Sequence, residues 1–149
     1  MGAYRTIVVG TDGSETSFRA VDRAAELARD ASAALVVACA YVPSPERETA
    51  RAQDVLGAEA YQVVGSAPAE DTVSRAKDRA AAAGATNVDT VAVQGKPAEV
   101  LLGIAQARKA DLLVVGNVGL NTLAGRILGS VPLDVSRHAT VDVLIVHTA

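Results

Sequence analysis

Thr6 to Gly10, Ala34 to Val42, Leu112 to Gly116 and Val141 to Val146 are nearly unbroken runs of aliphatic and β-branched residues. Such runs lack the alternation of a half-exposed strand, so they suit strands covered on both faces, as in a parallel sheet. A weaker run, Val88 to Val93, has the same character. Parallel strands need crossovers, and the residues between these runs change to a helical period.

After Glu15, the residues Phe18, Val21, Ala24, Ala25 and Ala28 share one helical face, while Arg19, Asp22, Arg23, Glu26 and Arg29 share the other. An alanine-rich helix is expected over about Pro68 to Ala83, stopped by Gly84. Another opens at Pro97 and turns Val100, Leu101, Ile104 and Ala105 inward, and a last one spans Ser130 to His138 with Pro132 in its first turn. The stretch from Pro43 to Gly65 is the least organised and reads as a partly helical, mobile loop. Strands alternating with helices over the whole length imply one α/β domain, residues 1–149, with an open parallel sheet and helices on both faces.

With 149 residues, the chain is long enough to bury a core without a staple. Half its residues are hydrophobic but only 3% are aromatic, so that core must be built from alanine, valine and their kin. A net charge of −3 speaks against a nucleic-acid partner, whose affinity rests on basic side chains. No apolar stretch approaches the roughly 20 residues of a membrane span, and a cytoplasmic location without membrane attachment is the expectation. The lone Cys39 sits inside an apolar run and reads as a small buried hydrophobe.

In an open parallel sheet, ligands bind beyond the carboxyl ends of the strands, where strand order reverses. Two segments leaving apolar strands are unusual for such positions. One is Gly10-Thr11-Asp12-Gly13-Ser14; the other runs from Gly116 and Asn117 through Val118 and Gly119 to Gly129, Ser130 and Val131. Glycines there let backbone come close to a bound group, and the start of the following helix would aim the N–H groups of Ser130 and Val131 at an anion, with the Ser130 hydroxyl adding a donor. The same residues would also serve as plain turn glycines and a helix cap. No Gly-x-x-x-x-Gly-Lys-Ser/Thr segment is present, and no Gly-x-Gly-x-x-Gly follows a strand.

The spacing Gly116-x2-Gly119-x9-Gly129-Ser130, together with Thr11-Asp12-Gly13-Ser14, Gly95-Lys96-Pro97-Ala98-Glu99 and Ala110-Asp111-Leu112-Leu113-Val114-Val115-Gly116, resembles the nucleotide-binding universal stress proteins over essentially the whole chain. The resemblance implies a Rossmann-like, adenine nucleotide alpha hydrolase-like sheet of five parallel strands in the order 3-2-1-4-5. It also implies a homodimer paired through the last strand, and an adenine nucleotide in the cleft between strands one and four. By the family pattern, Asp12 contacts ribose or base, backbone near Ala40 and Tyr41 reads the adenine edge, and Gly116, Gly119, Gly129, Ser130 and Val131 hold ribose and phosphate. Gly10 departs from the Pro or Ala often found there, and the additional room or backbone freedom is expected to change how the nucleotide sits. Gly10, Ala40 and Val115 to Leu120 look most like actinobacterial members associated with cyclic AMP.

Charge favours the same ligand. ATP carries several negative charges and usually calls for Mg²⁺ and basic side chains, whereas the glycine-rich segment contains one cation, Arg126. Cyclic AMP, with a single charge, is therefore expected as ligand, with ATP, with or without Mg²⁺, as the alternative. No catalytic or metal-binding residues are assigned. His138 and His147 read as surface residues, Ser14 as a helix cap without a nucleophile's surroundings, and Asp12 has only Glu15 as a neighbouring acid. The expected role is a regulatory or buffering protein in the stress response. A weak ATPase, or a dimeric interaction module with a vestigial cleft, would give the same sequence pattern.

Overall fold

A computed structural model describes residues 3–43, 63–117 and 130–148. Its elements alternate as β1 (Thr6–Gly10), α1 (Glu15–Ala31), β2 (Ala34–Val42), β3 (Val63–Val64), α2 (Ser66–Ala82), β4 (Val88–Gln94), α3 (Pro97–Ala107), β5 (Leu112–Gly116), α4 (Ser130–His138) and β6 (Asp142–Val146). Every strand pairing is parallel. The five long strands lie in the order β4-β2-β1-β5-β6, which is 3-2-1-4-5 when only those five are counted.

The strand absent from the sequence expectation is β3. Two valines at the end of the stretch expected to be a mobile loop pair with Tyr41 and Val42, because the end of β2 outruns its neighbour and leaves backbone groups to satisfy. The rest of that expected loop, residues 44–62, lies outside the described residues. Helix α2 starts at Ser66, two residues before the expected Pro68, since a proline within the first turn lacks only an N–H that would have no partner in the helix. The last strand starts at Asp142, one residue later than expected.

Each face of the sheet is covered by two helices. On one, Phe18, Val21, Ala24, Ala25 and Ala28 of α1 and Ala69, Val73, Ala76 and Ala80 of α2 pack on Ile7, Val9, Leu35, Val37 and Val114. On the other, Val100, Leu101, Ile104 and Ala105 of α3 and Val135 of α4 pack on Val8, Val36, Leu113 and Val115. Alanine on the helix faces lets the helices approach closely, so a core almost without rings still closes. Burying each valine or leucine contributes about 1.5–3 kcal/mol. Helices α1 and α2 are joined across their exposed side by Arg79, which donates to both oxygens of Asp22 at 2.8 and 2.9 Å and to Glu15 at 2.9 Å, and lies 5.5 Å from the Phe18 ring centre.

At the amino ends of the strands, side chains tie the sheet together. Asp111 accepts from the backbone N–H groups of Arg5 and Thr6 at 3.0 and 3.1 Å, and the Tyr4 hydroxyl donates to Asp142 at 2.9 Å.

Candidate functional site

From β1 the chain moves to β2 on one side, and from β5 to β6 on the other, so strand order reverses between the adjacent strands β1 and β5. The helices that follow these strands go to opposite faces: α1 packs with Ile7 and Val9, whereas Val135 of α4 packs with Val8 and Leu113. Such a reversal is where an open parallel sheet forms a ligand crevice, above the carboxyl ends of β1 and β5.

The first loop is satisfied within itself. Thr11 is buried; its N–H donates to the Ala38 carbonyl at 3.0 Å, and its hydroxyl bonds Ser17 at 2.7 Å and accepts from the Gly13 N–H at 3.1 Å. Gly13 has φ +87°, and a Cβ there would lie 3.1 Å from the buried Thr72 hydroxyl, so both conformation and space call for glycine. Ser14 is the N-cap of α1 and accepts from the Ser17 N–H, as its sequence context suggests. One Asp12 oxygen accepts from the Ser14 N–H at 2.9 Å, while the other makes no hydrogen bond among the described residues. The loop thus fixes the carboxylate through one oxygen and leaves the second available to a donor.

The extra room expected at Gly10 is taken by protein. A Cβ on Gly10 would come within 2.7 Å of Leu101 Cδ1, so this glycine lets α3 approach β1 closely.

The edge of β2 separates the roles of Ala40 and Tyr41. Along an extended strand, alternate residues turn their backbone groups to opposite edges. The Tyr41 carbonyl accepts from the Gly95 N–H at 2.9 Å on the β4 side, whereas the carbonyls of Ala38 and Val42 point to the β1 side, bonded by Thr11 and Gly65 at 3.0 and 2.7 Å. Ala40 shares that orientation and sits where β1 has already ended. Its backbone faces the crevice with Thr11 on one flank and β3 on the other; the Tyr41 carbonyl does not.

At the end of β5, the partly buried Gly116 leads into Asn117. The Asn117 N–H donates to the Val146 carbonyl at 2.8 Å, its Oδ1 accepts from the Thr148 N–H at 2.8 Å, and its Nδ2 lies 3.2 Å from His147 Nδ1. The Asn117 side chain is thus engaged with His147 and Thr148. Val118, Gly119 and Gly129 lie outside the described residues; Ser130 opens α4, and Val131 packs partly buried on the α3–α4 face.

Residues 3–147 match the model of the universal stress protein family. The chain belongs to that family. It is 57% identical to universal stress protein Rv1636 of Mycobacterium tuberculosis over 148 residues, 99% of each chain. A solved universal stress protein in complex with cAMP is 53% identical, covers 99% of this chain and all of its own, and superposes with a TM-score of 0.78. A universal stress protein from Archaeoglobus fulgidus in complex with dAMP, at 22% identity and a TM-score of 0.68, covers 95% of this chain and 97% of its own and shares the fold.

This universal stress protein also contains contacts that its sequence did not announce. Arg19, placed by periodicity on the polar face of α1, donates to the Thr148 carbonyl at 2.9 Å, and Thr148 is fully buried. A polar residue just past an apolar strand carries no periodic signal for such burial. Cys39 is buried as expected, and burial, helped by the negative charges of Asp12 and Glu70, pushes its thiol up to about 12. His138 is exposed, its Nδ1 2.9 Å from the Asp134 carbonyl at the end of α4. No group of three or more His, Cys, Asp or Glu side chains arranged to hold a metal occurs among the described residues, and no helix there is long and apolar enough to cross a membrane.

Proposed function

We propose that this universal stress protein holds an adenine nucleotide, cyclic AMP in preference to ATP, in the crevice at the carboxyl ends of β1 and β5, and acts as a regulatory or buffering protein of the cytoplasm rather than as an enzyme. The observation that carries the reading is the likeness, over the full chain, to a universal stress protein solved in complex with cAMP. The geometry around the crevice supports it. The available oxygen of Asp12 is suited to accept from a ribose hydroxyl, and the crevice-facing backbone of Ala40 to read the edge of a base. The phosphate falls to Gly116, Gly119, Gly129, Ser130 and Val131 as backbone and hydroxyl donors at a helix start, adequate for one negative charge. With so few aromatic residues in the chain, the base must rest on aliphatic and backbone groups.

Strand β6 pairs with β5 on one edge only among the described residues, and Val143, Leu144 and Ile145 are half-buried. An edge of this kind is normally covered, so the functional unit is a homodimer joined along β6.

Isothermal titration and thermal shift with cyclic AMP, ATP, AMP and cyclic GMP test the reading. The tightest binding and the largest rise in Tm are expected with cyclic AMP, with no steady release of phosphate from ATP. Tight ATP binding without cyclic AMP binding would overturn the preference, and turnover of ATP abolished by Asp12→Ala would make the protein an enzyme.

A further inference from the structure

Thr148 is a polar residue buried completely near the end of the chain, and it joins the two structural elements that carry the crevice. Its N–H can only donate, and it donates to Asn117 Oδ1, which fixes the orientation of the Asn117 amide. Its hydroxyl lies 3.2 Å from the same oxygen. The Asn117 Nδ2 group is thereby turned to His147, 3.2 Å from its Nδ1. The Thr148 carbonyl accepts from Arg19, which lies on α1 five residues beyond the cap Ser14.

From these contacts we infer that the last residues of the chain brace the nucleotide crevice, and that Thr148 is a positioning residue. The inference rests on the reading of that crevice as the nucleotide site. Asn117 follows Gly116 directly, and α1 begins three residues beyond Asp12. Linking Asn117 and Arg19 through one buried residue therefore sets the separation of the Asp12 carboxylate from the start of the glycine-rich segment. Buried polar groups are costly to leave without partners, so the set holds together or is lost together. Thr148 acts on the ligand only through Asn117 and Arg19.

The test is cyclic AMP titration of the full chain, of a chain ending at His147, and of Arg19→Met and Thr148→Ser, each well below its Tm. Ending the chain at His147 is expected to raise Kd about tenfold, the loss typical of a displaced contact to a charged group. Arg19→Met should raise it severalfold, and Thr148→Ser should stay within twofold of the full chain. Asp111→Ala serves as the control for stability alone, since it loosens the opposite end of the sheet and should leave Kd unchanged. If the shortened chain does not fold, the contrast between Arg19→Met and Thr148→Ser decides. Unchanged Kd in the shortened chain and in Arg19→Met would overturn the brace alone. A full chain that binds no adenine nucleotide would overturn the reading of the crevice, and the brace with it.

Discussion

At the amino ends of the strands, charged and polar side chains close on nearby groups: Asp111 caps the N–H groups of Arg5 and Thr6, Tyr4 holds Asp142, and Arg108 pairs with Asp89 at 2.6 Å. At the carboxyl ends, polar side chains such as Thr11 and Asn117 bend back to support backbone, while one Asp12 oxygen and the Ala40 edge of β2 make no hydrogen bond to backbone among the described residues. On the proposed reading, one end uses its hydrogen bonds for stability and the other keeps some for the nucleotide. Substitutions at the two ends should therefore separate, with stability lost at one and affinity at the other.

The largest effect is expected from Asp111→Ala. It removes an acceptor from two backbone N–H groups and should cost about 2 kcal/mol, a fall in Tm of roughly 4–8 °C for a chain of this size. Cyclic AMP affinity corrected for folded fraction should not change. Differential scanning calorimetry with titration on the same samples measures both, and a loss of affinity beyond the loss of folded protein would mean that the two ends are coupled.

Asp12→Asn makes the converse change. The amide oxygen can still accept from the Ser14 N–H, so Tm should move little, but the charged acceptor proposed for the ribose is lost. A rise in Kd of about tenfold, equivalent to about 1.4 kcal/mol, is expected by titration. A fall in Tm without a change in Kd would return Asp12 to the support of its own loop.

The fold was almost wholly legible because its signals are local. Unbroken valine and leucine runs, Pro97 at a helix start and the alanine faces of α1 and α2 each report on their own neighbourhood. The site was legible only in part, because its readings depended on what lies across from each residue. Leu101 lies over Gly10, Thr148 donates to the Asn117 amide oxygen, and strand parity sends the Tyr41 carbonyl to the β4 side, away from the edge that Ala40 faces. Each partner is distant in sequence. The one missed strand, β3, is two residues long, too short for any period to mark.

Cys39 gives a smaller test of how dry the sheet is beneath the carboxyl end. Its thiol is raised to about 12 by burial, with Asp12 and Glu70 adding to the shift. The neutral thiol is the form common to both states below the unfolded pKa near 8.5, so no penalty exists there. Above it the unfolded chain loses a proton that the folded chain keeps, and stability falls as pH rises. The loss should reach about 1.4 kcal/mol near pH 9.5 and be absent from Cys39→Ala, compared by urea melts of both proteins between pH 7 and 9.5. Parallel pH profiles would mean that the thiol is open to solvent.

The smallest effect concerns β3, which flanks the β2 edge assigned to the base. Val63 and Val64 are registered with Tyr41 and Val42, and the Gly65 N–H closes on the Val42 carbonyl at 2.7 Å. A base that hydrogen-bonds Ala40 approaches the same edge from the β1 side, so base and β3 compete for neighbouring backbone. Saturating cyclic AMP should therefore speed hydrogen exchange at the Gly65 amide severalfold, while the amides of β1 and β5, inside the sheet, keep or gain protection. Slower exchange at Gly65 would instead make the β3 backbone a wall of the bound site.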